Sequence, residues 1–371
     1  MVYLDYAANT VVDKEVLDLY YDVSLKYFAN PNSIHKLGVE AKNQIDMATN
    51  KIAKILNCLP EEVIYTSGAT ESNNLAIIGL CEKYKNFGKH IIISSLEHTS
   101  IVAPVNYLTQ QGFEVDVLNV SVDGKVSVDE LKKLIRDDTI LVSITSVDSE
   151  LGIKQPIEEI GEVLKDYPNT HFHTDSSQAI GKVKMDFTNV DLVTIAPHKF
   201  YGLNGFGILI KKKDVLLKPI ILGGKSTTIY RSGTPVLPMV VANAYALEKA
   251  INNQDKRDEY VGKLNKEVIS FLEKHDKVHI NNTNNSVIYT INFSIKGVNS
   301  EEFIKKLSDN DIYMSPKTSC CPNKTPSKHV LALTNDKSLA KSSMRLSLSH
   351  LTTEEDLNTF YEVFDKLYGE I

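Results

Sequence analysis

Between residues 63 and 211 the chain alternates short, largely apolar runs with segments of helical period, and this alternation restricts the fold more than any other feature. The apolar runs fall at 63–66, 90–94, 114–118, 140–144, 171–174, 192–195 and 207–211. Between several of them lie helical patterns at 72–85, 101–110, 127–135 and 157–165. Strands that are apolar on both faces must be covered on both faces, and strands joined through helices run parallel. The spacing therefore predicts an α/β fold with a mainly parallel, seven-stranded sheet between helical layers.

The pattern changes downstream. Helices are expected over 238–252 and 256–274, followed by a strand, helix, strand and helix at 286–293, 300–309, 343–347 and 353–367. A length of 371 residues suits one large domain plus a smaller one. The expected division is a large α/β domain over 12–252 and a small α+β domain made of 1–11 and 253–371.

Composition removes several function classes. The net charge of −6 gives no reason to expect nucleic acid as the main partner. No apolar run is long enough to span a membrane. The opening Met1-Val2-Tyr3-Leu4-Asp5 lacks the basic and apolar regions of an export signal, so a cytoplasmic protein is expected. Of the four cysteines, Cys58 and Cys81 sit in apolar, helix-like contexts and are expected to be inert, whereas the adjacent Cys320 and Cys321 stand out. No disulfide framework and no metal site are expected.

Three local patterns share the chemistry of a pyridoxal 5′-phosphate (PLP) site. Such a site needs an amine to form a Schiff base, a carboxylate for the pyridine nitrogen, and a helix start for the phosphate. Asp175 follows the run at 171–174, and Lys199 follows the next run at 192–195. Open α/β sheets bind ligands at these carboxyl ends. Thr66-Ser67-Gly68-Ala69-Thr70 ends a strand and opens a helix. It offers backbone amides, including that of Ala69, and the Thr70 hydroxyl to a phosphate; Thr70 serves equally well as a plain N-cap.

With these residues in place the chain resembles the cysteine desulfurases, most closely those serving iron–sulfur cluster assembly and nitrogenase maturation. The resemblance is carried by the segment 66–74, by Glu97-His98, by His173-Thr174-Asp175-Ser176-Ser177-Gln178, by His198-Lys199-Phe200-Tyr201-Gly202 and by Arg231-Ser232-Gly233-Thr234. Leu4-Asp5-Tyr6-Ala7-Ala8, the segment from Asn30 to His35, and Ser343-Met344-Arg345-Leu346-Ser347 extend it over nearly the whole chain. It implies a fold-type I, aspartate-aminotransferase-like, PLP-dependent homodimer that converts L-cysteine to L-alanine and an enzyme-bound persulfide. The resemblance also implies roles. Lys199 holds the cofactor, Asp175 pairs with the pyridine nitrogen, and His98 stacks on the ring and moves protons. Gln178 and the residue at Ser149 bond the phenolic oxygen. Ala69, Thr70 and His198 hold the phosphate, and Thr234 reaches the other subunit's cofactor. Arg345, with Asn30, binds the substrate, and a sulfur-acceptor or scaffold protein takes the sulfur.

The family's sulfur-accepting cysteine lies on a loop that matches 314–330, and the alignment favours Cys320, with Cys321 as a possible accessory thiol. On that loop the thiols are expected to be exposed, and Lys317 and Lys324 beside them to raise the thiolate fraction. The chain also departs from the family. Asp148-Ser149 stands where two asparagines are usual, and Ala196 replaces a phosphate-binding serine, whereas His329-Val330-Leu331 aligns with the family's aromatic-Val-Leu helix start. Gly223-Gly224-Lys225-Ser226-Thr227 replaces another characteristic segment. Three further readings stand beside desulfuration of cysteine: a lyase of the same fold acting on selenocysteine or on a cysteine derivative such as cystine, a non-catalytic partner in sulfur-carrier assembly, and an aminotransferase, which shares the lysine and aspartate but has no need of the thiol at Cys320.

Overall fold

A computed structural model describes residues 1–317 and 325–371. The amino-terminal part comprises β1 (Val2–Tyr3), α1 (Lys14–Lys26) and α2 (Lys36–Ile55). The alternating region follows as β2 (Val63–Thr66), α3 (Ala69–Tyr84), β3 (His90–Ser94), α4 (Thr99–Thr109), β4 (Glu114–Leu118), α5 (Val128–Leu134), β5 (Thr139–Ser143), α6 (Ile157–Leu164), β6 (His171–Asp175), β7 (Leu192–Ile195) and β8 (Gly207–Lys211). Then come α7 (Leu237–Asn252), α8 (Gln254–Leu272), β9 (Val278–Ile280), β10 (Thr290–Ile295), α9 (Ser300–Ser308), β11 (Ile312–Tyr313), α10 (Lys328–Thr334), α11 (Lys337–Ser342), β12 (Ser343–Ser347) and α12 (Glu354–Tyr368).

The seven expected strands form one sheet in the order β2-β8-β7-β6-β5-β3-β4. All pairs are parallel except those of β8, which runs against both β2 and β7. Its reversal follows from the short return after Lys199. Tyr201 (φ 69°) and Gly205 (φ 74°) both adopt left-handed backbone there, which turns the chain without a crossover helix. The consequence for function is geometric. The carboxyl ends of β2, β3, β5, β6 and β7 all reach the same edge of the sheet.

Apolar side chains cover both faces. Ile92, Val142, Phe172, Val193 and Ile208 point to one face, where α2, α6 and α7 contribute Ile45, Ile52, Ile160 and Leu247. Ile64, Ile91, Ile93, Leu141 and Leu209 meet α3 and α4 on the other. A separate core gathers Val2 and Leu4 with residues of α8, β10, α9, β12 and α12, among them Val261, Phe293, Phe303, Leu346 and Phe364. The amino terminus joins that core because β1 pairs with β11 in parallel.

One expectation needs correction here. The strand expected at 286–293 is Thr290–Ile295, because Ser286 makes an isolated bridge to Ile153 before the chain enters the small sheet. Lys317, at the start of the cysteine loop, is 5% exposed. Its ammonium donates to the carbonyl and hydroxyl of Thr325 at 2.6 and 3.0 Å and lies 3.7 Å from Glu301. Among the described residues no helix is long and apolar enough to cross a membrane.

Candidate active site

A cavity of about 380 Å³ opens at the carboxyl edge of the sheet. It is lined by residues from the ends of β2, β3, β5, β6 and β7, together with Ala7, Ala8 and Arg345. Asp175 and Lys199 both line it. Their meeting follows from register. Asp175 is paired with Thr194 across β6 and β7, and Lys199 lies five residues farther along, in the one-turn 3-10 segment Pro197–Lys199.

Asp175 is buried and held by two donors. The Ser177 amide donates to Oδ1 at 2.9 Å, and Asn73 Nδ2 donates to Oδ2 at 2.8 Å. Asn73 Nδ2 also donates to Ser100 Oγ, which lies 2.8 Å from His98 Nδ1. The carboxylate is thereby linked through Asn73 and Ser100 to His98. His98 is the N-cap of α4, and the Ser100 amide donates to its Nδ1 at 3.1 Å. A nitrogen that accepts a backbone N–H carries no proton, so the neutral ring has its proton on Nε2. Burial, together with the charges of Lys199 and His329, holds the His98 pKa below the usual histidine range, against the opposing pull of Asp175.

The amine of Lys199 donates to the carbonyls of Ala7 and Ala8 at 2.9 and 2.6 Å. Gln178 Nε2 donates to the same Ala7 carbonyl at 2.8 Å, and its Oε1 accepts from Lys182 Nζ at 2.7 Å. Burial, with the charges of Lys199 and Arg345, pushes Lys182 down to about 7. His198 is pushed down to about 4 by burial, with Lys199 and Lys182 adding to the effect.

The turn after β2 forms the opposite wall. Gly68 is the N-cap of α3, so Thr70 is the second residue of the helix rather than its cap. The first amides of α3 have no partner within the helix and open toward the cavity. Close approach shapes this turn. A Cβ on Gly207 would lie 2.5 Å from Thr66 Oγ1 and 2.6 Å from the Gly68 carbonyl carbon. Glu71 holds the Ser67 amide and hydroxyl at 2.8 and 2.7 Å and is itself paired with Arg231 Nε at 2.9 Å.

Arg345 is almost completely buried, at 1% exposure. Its Nη2 pairs with Asp5 Oδ1 at 2.8 Å, its Nη1 donates to the Ser149 carbonyl at 2.7 Å, and its Nε has no partner among the described residues. Ser149 Oγ, Ser177 Oγ and Asn73 Oδ1 are likewise buried and unpartnered. Orphaned buried polar atoms carry a desolvation cost unless something fills the site. A flat polar ring with a phosphate fits this cavity: an amine and a carboxylate sit on adjacent strand ends, a histidine lies alongside, and a helix start faces the far wall.

Not every expected residue gathers here. Ala69, Thr70, His98, Ser149, Asp175, Gln178, His198, Lys199 and Arg345 line the cavity, whereas Asn30 and Thr234 are exposed and are not among its lining residues. Cys320 and Cys321 lie outside the described residues. Cys58 and Cys81 are unreactive by environment: burial raises the Cys58 thiol to about 11 and that of Cys81 higher still. Sequence reasoning gave no role to Asp5, Ala7, Ala8, Asn73, Ser100 or Lys182. Asn73 carried one usable signal: three residues after Thr70, it lies on the same face of α3.

Comparisons with known proteins agree with this geometry. The family model for class-V aminotransferases matches residues 2–360. A cysteine desulfurase IscS of Dictyoglomus turgidum is 38% identical over 375 residues, covering 100% of this chain and 95% of that protein. One from Methanosarcina thermophila is 36% identical over 374 residues, covering 100% and 92%. Among solved structures, a NifS-like protein superposes with a TM-score of 0.94 at 31% identity over 100% of both chains. The structure of SspA in complex with cysteine gives 0.83 at 31% identity, covering 94% of this chain and 99% of that one.

Proposed function

The chain belongs to the class-V aminotransferase family and is a PLP-dependent cysteine desulfurase, and from that premise we propose a role for each residue around the cavity. The observation that carries the proposal is the convergence of Asp175 and Lys199, from adjacent paired strands, on a cavity that Arg345 also lines.

When bound, PLP supplies an electron sink for the bonds around the substrate's α-carbon. Lys199 is the residue that attaches it. Asp175 holds the ring nitrogen, and Asn73 and the Ser177 amide keep that carboxylate oriented. Gln178 has its oxygen occupied by Lys182 and one amide N–H on the Ala7 carbonyl, and its second N–H serves the phenolic oxygen. His98 presents Nε2 to the ring side and carries protons to and from the reacting atoms. The first amides of α3, with Thr70 and His198, hold the phosphate. Arg345 takes the substrate carboxylate through N–H groups not used by Asp5 and Ser149, which suits the planar fork of a guanidinium.

Cys320 is the thiol that accepts the substrate's sulfur as a persulfide, and Cys321 is an accessory thiol. The enzyme works as a homodimer in the cytoplasm. Thr234 serves the partner subunit's cofactor, Asn30 contributes to substrate binding, and a sulfur-acceptor or scaffold protein receives the sulfur. Relatives named IscS and a solved structure of SspA with cysteine support a sulfur-transfer role.

Two measurements test this reading. Borohydride reduction of the PLP-loaded protein, followed by peptide mapping, is expected to place the label on Lys199; a label elsewhere overturns the assignment. Incubation with L-cysteine is expected to give alanine and sulfide in the wild type and no persulfide in Cys320→Ala. Full persulfide formation by Cys320→Ala, with loss in Cys321→Ala, would exchange the two roles.

A further inference from the structure

The described chain resumes after residue 324 with Thr325 and enters α10, and the start of α10 is fastened to the turn that carries Ser149. His329 is 5% exposed and Asp148 is 1% exposed. His329 Nδ1 lies 2.5 Å from Asp148 Oδ1. The same carboxylate accepts backbone N–H groups from Glu150, Leu151 and Ile153 at 2.9 to 3.2 Å. Both its oxygens are therefore committed as acceptors, which a carboxylate satisfies and an asparagine amide does not. His329 Nδ1 is then the donor. One residue past Ser149, Glu150 Oε2 accepts from the hydroxyl of Ser327, the N-cap of α10, at 2.5 Å.

Ser149 is thus gripped on both sides by acidic neighbours bound to α10. Its own hydroxyl bonds nothing among the described residues, and its carbonyl accepts from Arg345 Nη1 at 2.7 Å. A shift of the 148–150 turn moves that carbonyl, and a buried guanidinium whose Nε is unpartnered follows its remaining acceptors.

We propose that His329 and Asp148 form a buried ion pair that positions Arg345 for the substrate carboxylate, acting through the Ser149 carbonyl. The inference rests on the reading of Arg345 as the carboxylate clamp. It also accounts for one departure from the family pattern: aspartate in place of asparagine at 148 supplies the charge that faces His329.

The groups facing His329 set the sign of its pH dependence. Asp148 and Glu150 face it from the turn, Glu97 and His98 from the corner between β3 and α4, and Lys328 adjoins it on α10. Burial lowers its basicity, but Glu150, Asp148 and Glu97 outweigh burial and raise it to about 9. The pair is therefore charged at neutral pH. Its contribution is fully present below the ordinary histidine pKa and is lost as pH rises through about 9.

The test uses the PLP-loaded enzyme and four variants: His329→Phe, Asp148→Asn, the double variant, and Arg345→Lys as control. His329→Phe leaves a buried carboxylate without its cation, so KM for L-cysteine is expected to rise at least fivefold with kcat changed less. The double variant removes both charges and is expected to return KM to within about twofold of wild type. From pH 7.5 to 10 the wild-type KM is expected to climb relative to that of the double variant, and the substrate's own titration cancels in that ratio. Cofactor-free protein gives an independent readout: the wild-type melting temperature is expected to fall toward that of the double variant over the same range. If Arg345→Lys raises KM while His329→Phe does not, the positioning role is overturned and the clamp stands. If Arg345→Lys leaves KM unchanged, the clamp reading itself fails. Should His329→Phe not fold, the double variant decides, and pH profiles parallel to wild type overturn the proposal.

Discussion

Replacing Asp5 with alanine removes the only carboxylate bonded to a guanidinium that is 1% exposed, among the described residues. The charges of Asp5 and Arg345 are separated by one hydrogen bond of 2.8 Å. At an effective dielectric constant near 20, such a pair about 4 Å apart is worth about 4 kcal/mol. Breaking a buried pair from one side costs about 3–5 kcal/mol. Asp5 is 17% exposed and Ser149 keeps its bond to Nη1, which places the expected loss at the lower end, about 3 kcal/mol. For a chain of 371 residues, an unfolding entropy of roughly 2.1 cal/mol/K per residue converts that loss to about 4 °C in melting temperature. Asp5→Asn keeps an acceptor for the Ser315 hydroxyl, which bonds Asp5 Oδ2 at 2.7 Å, and is expected to lose about half as much. The assay is thermal unfolding of the cofactor-free protein followed by circular dichroism, with and without added acetate. Acetate is expected to recover part of the loss in Asp5→Ala and none in wild type. A melting temperature for Asp5→Ala within about 1 °C of wild type would refute the claim that this pair carries buried charge.

Three further outcomes follow from the site. Gly207→Ala places a methyl group 2.5 Å from Thr66 Oγ1; β8 must shift at a cost of about 1–3 kcal/mol, and equilibrium dialysis is expected to show PLP affinity reduced about tenfold with no contact atom removed. Ser149→Asn replaces an unpartnered buried hydroxyl with a longer amide and is expected to tighten PLP retention by about 0.5–1.5 kcal/mol, read in the same dialysis; unchanged or weaker retention counts against a place for Ser149 beside the cofactor. Burial raises the Glu97 carboxyl to about 8, above its ordinary value, so the stability its neutral form contributes is whole only below the ordinary carboxyl pKa and is lost progressively as pH rises to about 8. Glu97→Gln is therefore expected to match wild-type stability near pH 4 and to exceed it increasingly up to pH 9, by at most about 5 kcal/mol, whereas a gap that narrows with pH contradicts the sign.

The sheet was legible because its strands are apolar on both faces and short, a pattern with few other solutions. β2, β3, β4, β7 and β8 have the expected bounds, while β5 and β6 differ by one residue at their ends. The amino-terminal helices were not anticipated, although α2 carries a buried stripe of Ala41, Ile45, Ala48 and Ile52 at helical spacing. The residues expected in the cofactor pocket were legible as types at strand ends. Their partners were not, because Asn73, Ser100, Ala7 and Asp148 acquire their roles only through contacts 27 to 192 positions away in sequence.

The site draws on two cores, and this division has a functional consequence. The groups assigned to the cofactor, Asp175, His98, Thr70 and Lys199, stand on the edge of the large sheet, whose strands are fixed by apolar layers on both faces. The groups assigned to the substrate side, Asp5 and Arg345, are held by the small core of Val2, Leu4, Phe293 and Leu346, because Arg345 lies on β12 and Asp5 bridges to Ser347. Between the two run the carbonyls of Ala7 and Ala8, which touch Lys199 from the amino-terminal segment. Loosening one core therefore moves one set of groups relative to the other. Truncation of a large-sheet residue such as Ile92 acts first on cofactor retention, whereas truncation of Phe293 or Leu346 acts first on KM for L-cysteine, because each substitution relaxes only the wall its own core supports.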